Sequence, residues 1–148
     1  MANFSFLKNR PEYALFAAAA MEAERVYASS PAMCAVGCRK ALELAVKWVY
    51  SADQELERPY QENLQALLHE STFQFTVDPR IWERLSIIIR LGNLAVHTGR
   101  TISSGDALLA LQTLFDFIHW IDYSYGTEYE ERSFDEHLLP QEKVSVDT

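Results

Sequence analysis

Three helix starts, each followed by apolar residues at helical spacing, constrain this chain more than any other feature. The starts are Ser30-Pro31, Asp78-Pro79 and Ser103. A Ser or Asp side chain accepts hydrogen bonds from the free amides of a first helical turn, and Pro fits that turn because it has no amide to leave unpaired. Apolar residues then recur every three or four positions, which is the period of a helix buried on one face. The pattern predicts an all-α fold.

The same periodicity sets the predicted helix count at four or five. We expect helices over 11–28, 31–50 and 64–69, one that begins at Pro79 and ends at Thr98-Gly99, and one over 104–125. The stretch 71–77 alternates weakly and is too short for a sheet without partners, so we interpret it as a loop packed by Phe73 and Phe75.

Each predicted helix carries one apolar stripe. The first stripe consists of Leu15, Ala18, Ala19, Met21 and Val26. The second consists of Ala35, Cys38, Leu42, Ala45, Val46 and Val49. The helix from Pro79 is expected to bury Trp82, Leu85, Ile88, Ile89 and Val96. Such stripes must pack against one another, which predicts a helical bundle. We place the bundle at residues 1–126 and interpret the acidic residues 127–148 as an extension or linker toward further domains.

The charge distribution restricts the classes of partner. The net charge is −8, but residues 79–100 carry a net charge of +3. A chain this acidic does not attract nucleic acid by its overall field, so any phosphate contact must be local.

Composition also bears on location and metals. There is no apolar run long enough for a membrane span and no signal-peptide pattern, so we expect a cytoplasmic protein without a membrane contact. Cys34 and Cys38 lie four apart, a poor geometry for a disulfide, and are interpreted as small buried side chains of a reducing compartment. No two histidines have metal-ligand spacing, so no metal site is predicted.

The stretch from Arg90 to His97 is the main candidate for chemistry. Seven residues advance a helix by about two turns, so Arg90 and His97 share one face. A permanent cation beside a group that titrates near neutral pH suits a phosphate, and His97 suits general acid–base chemistry. Arg90, Asn93 and His97 are therefore candidate catalytic residues, and a symmetric dimer would present two such sets.

A structural explanation of the same residues stays open. Arg90 lies among apolar residues and, if buried, needs a partner, for which Glu43 on the second predicted helix is the best candidate. Gly92 lies mid-helix, where it weakens the helix but permits a close approach. A basic patch is also expected, formed by Arg80, Arg84, Arg39 and Lys40.

Four segments together resemble a known family. They are Cys38–Lys47, Ile89–His97, Leu111–Trp120 and Phe134–Pro140. In this order they resemble the helical domain of unknown function at the N-terminus of restriction subunits of type I restriction-modification systems. The resemblance covers nearly the whole chain. It implies an accessory interaction or regulatory domain of an ATP-dependent, DNA-translocating endonuclease, whose partners are other domains and subunits of that complex and, through the parent protein, DNA.

That domain is similar in turn to the HEPN superfamily of helical bundles. The similarity implies an alternative function as a metal-independent ribonuclease or RNA-binding module that uses Arg90 and His97. It also implies a further alternative, a homodimerisation module. The usual pattern has a polar residue directly after the Arg, whereas this chain has Leu91 there and its Asn at Asn93. No cofactor is expected for this chain, since ATP and Mg²⁺ would belong to the domains of the parent protein.

Overall fold

The computed structural model describes residues 2–97 and 101–141, and within these ranges every regular element is helical. The α-helices are α1 (Ala14–Arg25), α2 (Pro31–Ala52), α3 (Leu64–His69), α4 (Ser71–Thr76), α5 (Pro79–His97) and α6 (Ser104–Tyr125). Short 3-10 helices span Ser5–Asn9, Pro11–Tyr13 and Glu136–Leu138. The predicted all-α bundle is confirmed. The helix end predicted at Thr98-Gly99 lies outside the described residues.

Helix α2 lies at the centre of the bundle and contacts α1, α3, α5 and α6. Its start is the predicted one, since the Ser30 hydroxyl accepts a hydrogen bond from the Met33 amide at 3.1 Å. Every residue of its predicted stripe is fully buried. Each of these neighbours turns one face toward α2. The position of α2 therefore determines which faces of its neighbours are exposed.

The apolar face predicted for the first helix is wrong. Leu15 is 50% exposed, whereas Phe16 and Ala20 are fully buried. Helix α1 is apolar on nearly every side, so periodicity does not single out one face. The face is decided instead by aromatic packing, since the rings of Tyr13 and Phe16 both lie within about 6 Å of the Trp48 ring on α2.

The loop predicted over 71–77 is instead helix α4. The Glu70 carboxylate caps it by accepting hydrogen bonds from two backbone amides of its first turn. Phe73 is fully buried and its ring stacks on that of Tyr50, with centroids 5.5 Å apart. Phe75, predicted to pack with it, is 89% exposed. One face of α4 is therefore structural and the other faces solvent.

Residues 127–141, the described part of the predicted extension, pack against the bundle. The Asn3 side chain donates to the Asp135 carbonyl oxygen and accepts from the Asp135 amide. The same Asn3 donates to the buried carboxylate of Glu24 on α1. Phe134 contacts Phe115 of α6 edge-on, with ring centroids 5.6 Å apart. These contacts tie the C-terminal segment to α1 and α6.

A buried ion pair holds the N-terminal segment on α6. Arg10 is 6% exposed and donates to both carboxylate oxygens of Asp122, at 2.7 and 3.2 Å, and Asp122 is fully buried. The Tyr13 hydroxyl donates to the same carboxylate at 2.7 Å. Arg10 also donates to the backbone carbonyl oxygen of Glu128. The Arg10–Asp122 bond is charge-assisted and bidentate, so it fixes the orientation of the N-terminal segment relative to α6.

Cys34 and Cys38 are buried as free thiols on α2. Their hydrogen bond and their burial raise the pKa of the Cys38 thiol well above its ordinary value. Such thiols are unreactive while the fold is closed, because the thiolate is the reactive species. The prediction that the two residues act as small buried side chains agrees with this geometry.

Candidate functional site

The predicted site residues lie together in a surface groove on α5. The groove, here called the Arg90 groove, has a volume of about 390 Å³ and is lined by Gln65, Ser86, Ile89, Arg90, Asn93, Leu94 and His97. Arg90 and His97 are exposed and Asn93 is half-buried. The seven-residue spacing thus places the three polar side chains on one face, as expected for a straight helix.

The predicted ion pair between Arg90 and Glu43 is absent from the described part of the chain. Arg90 is exposed, and none of the ion pairs among the described residues involves it. Glu43 instead lies 3.9 Å from Lys47, one turn along α2. The prediction was wrong because Arg90 falls on the solvent side of α5, opposite the buried Gly92 and Ile88. The fold therefore leaves the Arg90 guanidinium available to a ligand.

Gly92 is explained by the side chain of Arg39. A Cβ at Gly92 would lie 2.7 Å from the Arg39 Cβ and 2.8 Å from its Cδ. The close approach predicted at this Gly is therefore made within the chain, by α2, and not by a partner helix. The Arg39 Nε is buried and has no hydrogen-bond partner among residues 2–97 and 101–141. The Arg39 stem thus acts mainly as packing between α2 and α5.

The predicted basic patch is not one surface. Arg39 crosses Gly92 toward α5, whereas Lys40 lines a groove between α1 and α2. Arg80 is 89% exposed and lies 4.0 Å from the Asp78 carboxylate. Burial raises the pKa of Asp116 on α6, and the charge of Arg84 opposes part of this rise. The four cations therefore serve different contacts.

Two polar residues of the Arg90 groove, Ser86 and Gln65, were not predicted as site residues. Ser86 lies one turn before Arg90 on the same face of α5, so its i, i+4 spacing from Arg90 is a signal that identifies it. Gln65 comes from α3, and no local pattern links that residue to α5. Val96, predicted to be buried, is 58% exposed. Spacing along the sequence identifies side chains that share one face of a helix, but it does not identify side chains that a different helix contributes.

The chemistry available in the Arg90 groove is that of an anion site. None of its lining side chains is acidic. Arg supplies a fork of donors that fits a phosphate, and Asn, Gln and Ser side chains add neutral donors. In residues 2–97 and 101–141, no group of three or more His, Cys, Asp or Glu side chains is placed to hold a metal ion.

No helix among the described residues has both the length and the apolar character needed to cross a bilayer. No curated protein and no solved structure matches the chain. A family model does match it, over residues 21–139, which include the whole of α2 to α6 and the Arg90 groove. The chain belongs to the DUF4145 family, a domain of unknown function.

Proposed function

We propose that this domain is an accessory interaction module whose Arg90 groove binds the phosphate backbone of a nucleic acid. One observation carries the proposal: Arg90, Asn93 and His97 line an open groove without an acidic side chain, and Arg90 takes part in none of the ion pairs among the described residues. An Arg that the fold does not use is available for a ligand, and phosphate is the ligand that its geometry fits best.

The net charge of −8 allows the salt dependence of binding to be predicted. Since the whole chain repels phosphate, binding must come from one or two local contacts. Each neutralised phosphate of a single strand contributes a slope of about −0.7 to the dependence of log affinity on log salt. We therefore expect a slope near −1, much shallower than that of a protein with a broad basic surface.

The test is a titration of labelled single-stranded RNA and DNA oligonucleotides with the full chain. Arg90→Ala removes a charge-assisted contact worth about 1.5–3 kcal/mol, so affinity should fall at least about tenfold. Arg80→Ala is the matched control, because it removes the same charge from the same helix at an 89% exposed position outside the groove. An equal loss in both variants, or no binding by the wild type, contradicts the proposal.

Metal-independent ribonuclease activity is a second candidate. The observation that favours it is that His97, a group able to act as general acid or base, shares the groove with Arg90. RNA should then be cleaved in the presence of a chelator, and His97→Ala should lower the rate by about 100-fold or more. Cleavage that is unaffected by His97→Ala would remove this candidate.

We further propose that the domain serves a restriction-modification complex, as an N-terminal domain of a type I restriction subunit. The support is the resemblance of the Cys38–Lys47 and Ile89–His97 segments to that domain. ATP, Mg²⁺ and DNA cleavage would then belong to other domains of the same polypeptide. Sequencing of the coding region beyond Thr148 and its neighbours tests this: helicase motifs and methyltransferase and specificity genes are expected, and unrelated genes would contradict it.

A further inference from the structure

The geometry points to a second docking surface on α4 and α5, which takes a protein segment that presents an apolar side chain beside a Lys or Arg. This surface, here called the Phe75 groove, has a volume of about 320 Å³ and is lined by Ser71, Gln74, Phe75, Pro79, Trp82 and Glu83. It lies near the N-terminal end of α5, whereas the Arg90 groove lies toward the C-terminal end. The inference therefore goes beyond nucleic-acid binding.

Phe75 is the main feature of this surface. Its ring is 89% exposed, although Phe73, two residues earlier on the same short helix, is fully buried. Isolated apolar side chains on a surface are common, but this ring forms one wall of a groove with Pro79 and Trp82. Burial of such a ring by a partner removes a large apolar area from water, which is a typical source of binding free energy.

The Trp82 wall of the Phe75 groove and the helix that carries Phe75 are held in place before any partner binds. The Trp82 indole N–H donates to the Leu68 carbonyl oxygen at 2.8 Å. The His69 ring packs edge-on against the indole, with ring centroids 5.5 Å apart. The Glu70 carboxylate caps α4, which carries Phe75. A side chain that is already held in this way loses little conformational entropy on binding.

The charge around the Phe75 groove selects the partner. Glu83 is exposed and belongs to none of the ion pairs among the described residues. The segment 51–78, which leads into the groove, carries six acidic residues and one basic residue. Two cations of α5 lie close to the groove in sequence: Arg80 lies 4.0 Å from the Asp78 carboxylate, and the charge of Arg84, which follows Glu83, acts on Asp116 of α6. A Lys or Arg of a partner protein meets complementary charge here, whereas a phosphate backbone meets repulsion.

The experiment is a selection of a random peptide library against the full chain, followed by titration of the selected peptides. We expect enrichment of sequences in which an aromatic or aliphatic residue adjoins Lys or Arg. Phe75→Ala and Glu83→Gln should each weaken these peptides by about tenfold. Tyr60→Ala is the matched control, since it removes a fully exposed aromatic ring of the same acidic region outside the groove, and it should leave affinity unchanged. Circular dichroism of each variant verifies its fold.

Three kinds of result would overturn the inference. The first is a failure of the peptide prediction, either a selection that yields no basic residues or selected peptides that bind Phe75→Ala as well as they bind the wild type. The second is loss of oligonucleotide affinity in Phe75→Ala comparable to that in Arg90→Ala, which would assign the surface to nucleic acid. The third is a dimer in sedimentation that Phe75→Ala dissociates, which would make a second copy the occupant.

Discussion

Gly92 shows how one residue sets the distance between two helices. A Gly inside a helix costs about 1 kcal/mol relative to Ala, so its presence in α5 needs a compensating contact. The contact is the Arg39 stem, whose Cβ would lie 2.7 Å from any Cβ added at Gly92. The sequence predicts that something approaches Gly92 closely, but not what, because the partner lies more than fifty positions away on α2.

Gly92→Ala should therefore lower the free energy of unfolding, even though Ala favours the helix. Overpacking of this kind costs about 1–3 kcal/mol, which exceeds the gain in helix propensity. Gly105→Ala is the control, since the nearest atom to its added Cβ is the Ser103 Oγ at 3.8 Å. Urea denaturation of both variants measures the difference. A more stable Gly92→Ala would show that Arg39 moves aside at little cost.

At the scale of elements, the sequence predicts a helix well when one side is apolar and the start is capped. Helix α2 satisfies both conditions, and its cap and stripe are as predicted. The face of α1 could not be predicted because its Ala-rich surface is apolar nearly all round. Helix α4 was missed because its cap is the Glu70 side chain, a residue that lacks the usual N-cap preference.

Contacts between elements distant in the chain lie beyond such patterns. Arg10 and Asp122 illustrate this limit, since neither residue stands out locally, yet they form a buried bidentate pair. At Arg90 the local pattern was misleading, because an Arg among apolar residues suggested burial whereas the side chain is exposed. The candidate site was nonetheless predicted in part, because Arg90, Asn93 and His97 belong to one helix and helical geometry alone places them on one face.

The Arg10–Asp122 pair should make a large contribution to stability. Removing one partner of a buried pair leaves an uncompensated charge and costs about 3–5 kcal/mol. Asp122→Asn should therefore destabilise the chain by about 3 kcal/mol in urea denaturation. Glu22→Gln, which breaks the exposed pair of Glu22 with Arg25, should change stability little. Equal effects of the two substitutions would contradict a structural role for the buried pair.

At the scale of the whole molecule, the bundle is closed by the segment that follows α6. Within residues 127–141, the Phe134 ring packs on Phe115 of α6, and Leu139 is only 6% exposed. A chain that ends at Gly126 should lose about 3 kcal/mol or more of stability, since burial of each such side chain contributes about 1.5–3 kcal/mol. A urea midpoint equal to that of the full chain would show that the segment only rests on the surface.

Buried tyrosines make the molecule sensitive to alkali. Burial raises the pKa of Tyr50 from 10.0 to about 12. Burial also raises the pKa of Tyr13 and of Tyr125, and a hydrogen bond from each hydroxyl to a carboxylate adds to the rise. The folded state thus holds these protons more tightly than the unfolded state. Their contribution to stability is complete below pH 10 and is lost as the pH rises above 10, with the contribution of Tyr50 lost by about pH 12.

Tyrosinate absorbance and circular dichroism, followed together during an alkaline titration, check this expectation. Tyr13, Tyr50 and Tyr125 should ionise late, or together with loss of the helices. Tyr50→Phe should make the loss of stability with pH less steep. If these three tyrosines ionised at their ordinary pKa in a fully helical protein, the expected effect of their burial would be disproved.

The two buried thiols of α2 make the protein a reporter of its own opening. A thiol reagent reaches Cys34 or Cys38 only when α2 parts from its neighbours, so the labelling rate measures the free energy of that opening. Any ligand that binds only the closed molecule lowers the open population by mass action. A bound oligonucleotide in the Arg90 groove, or a bound peptide in the Phe75 groove, should therefore slow labelling of cysteines that neither ligand touches.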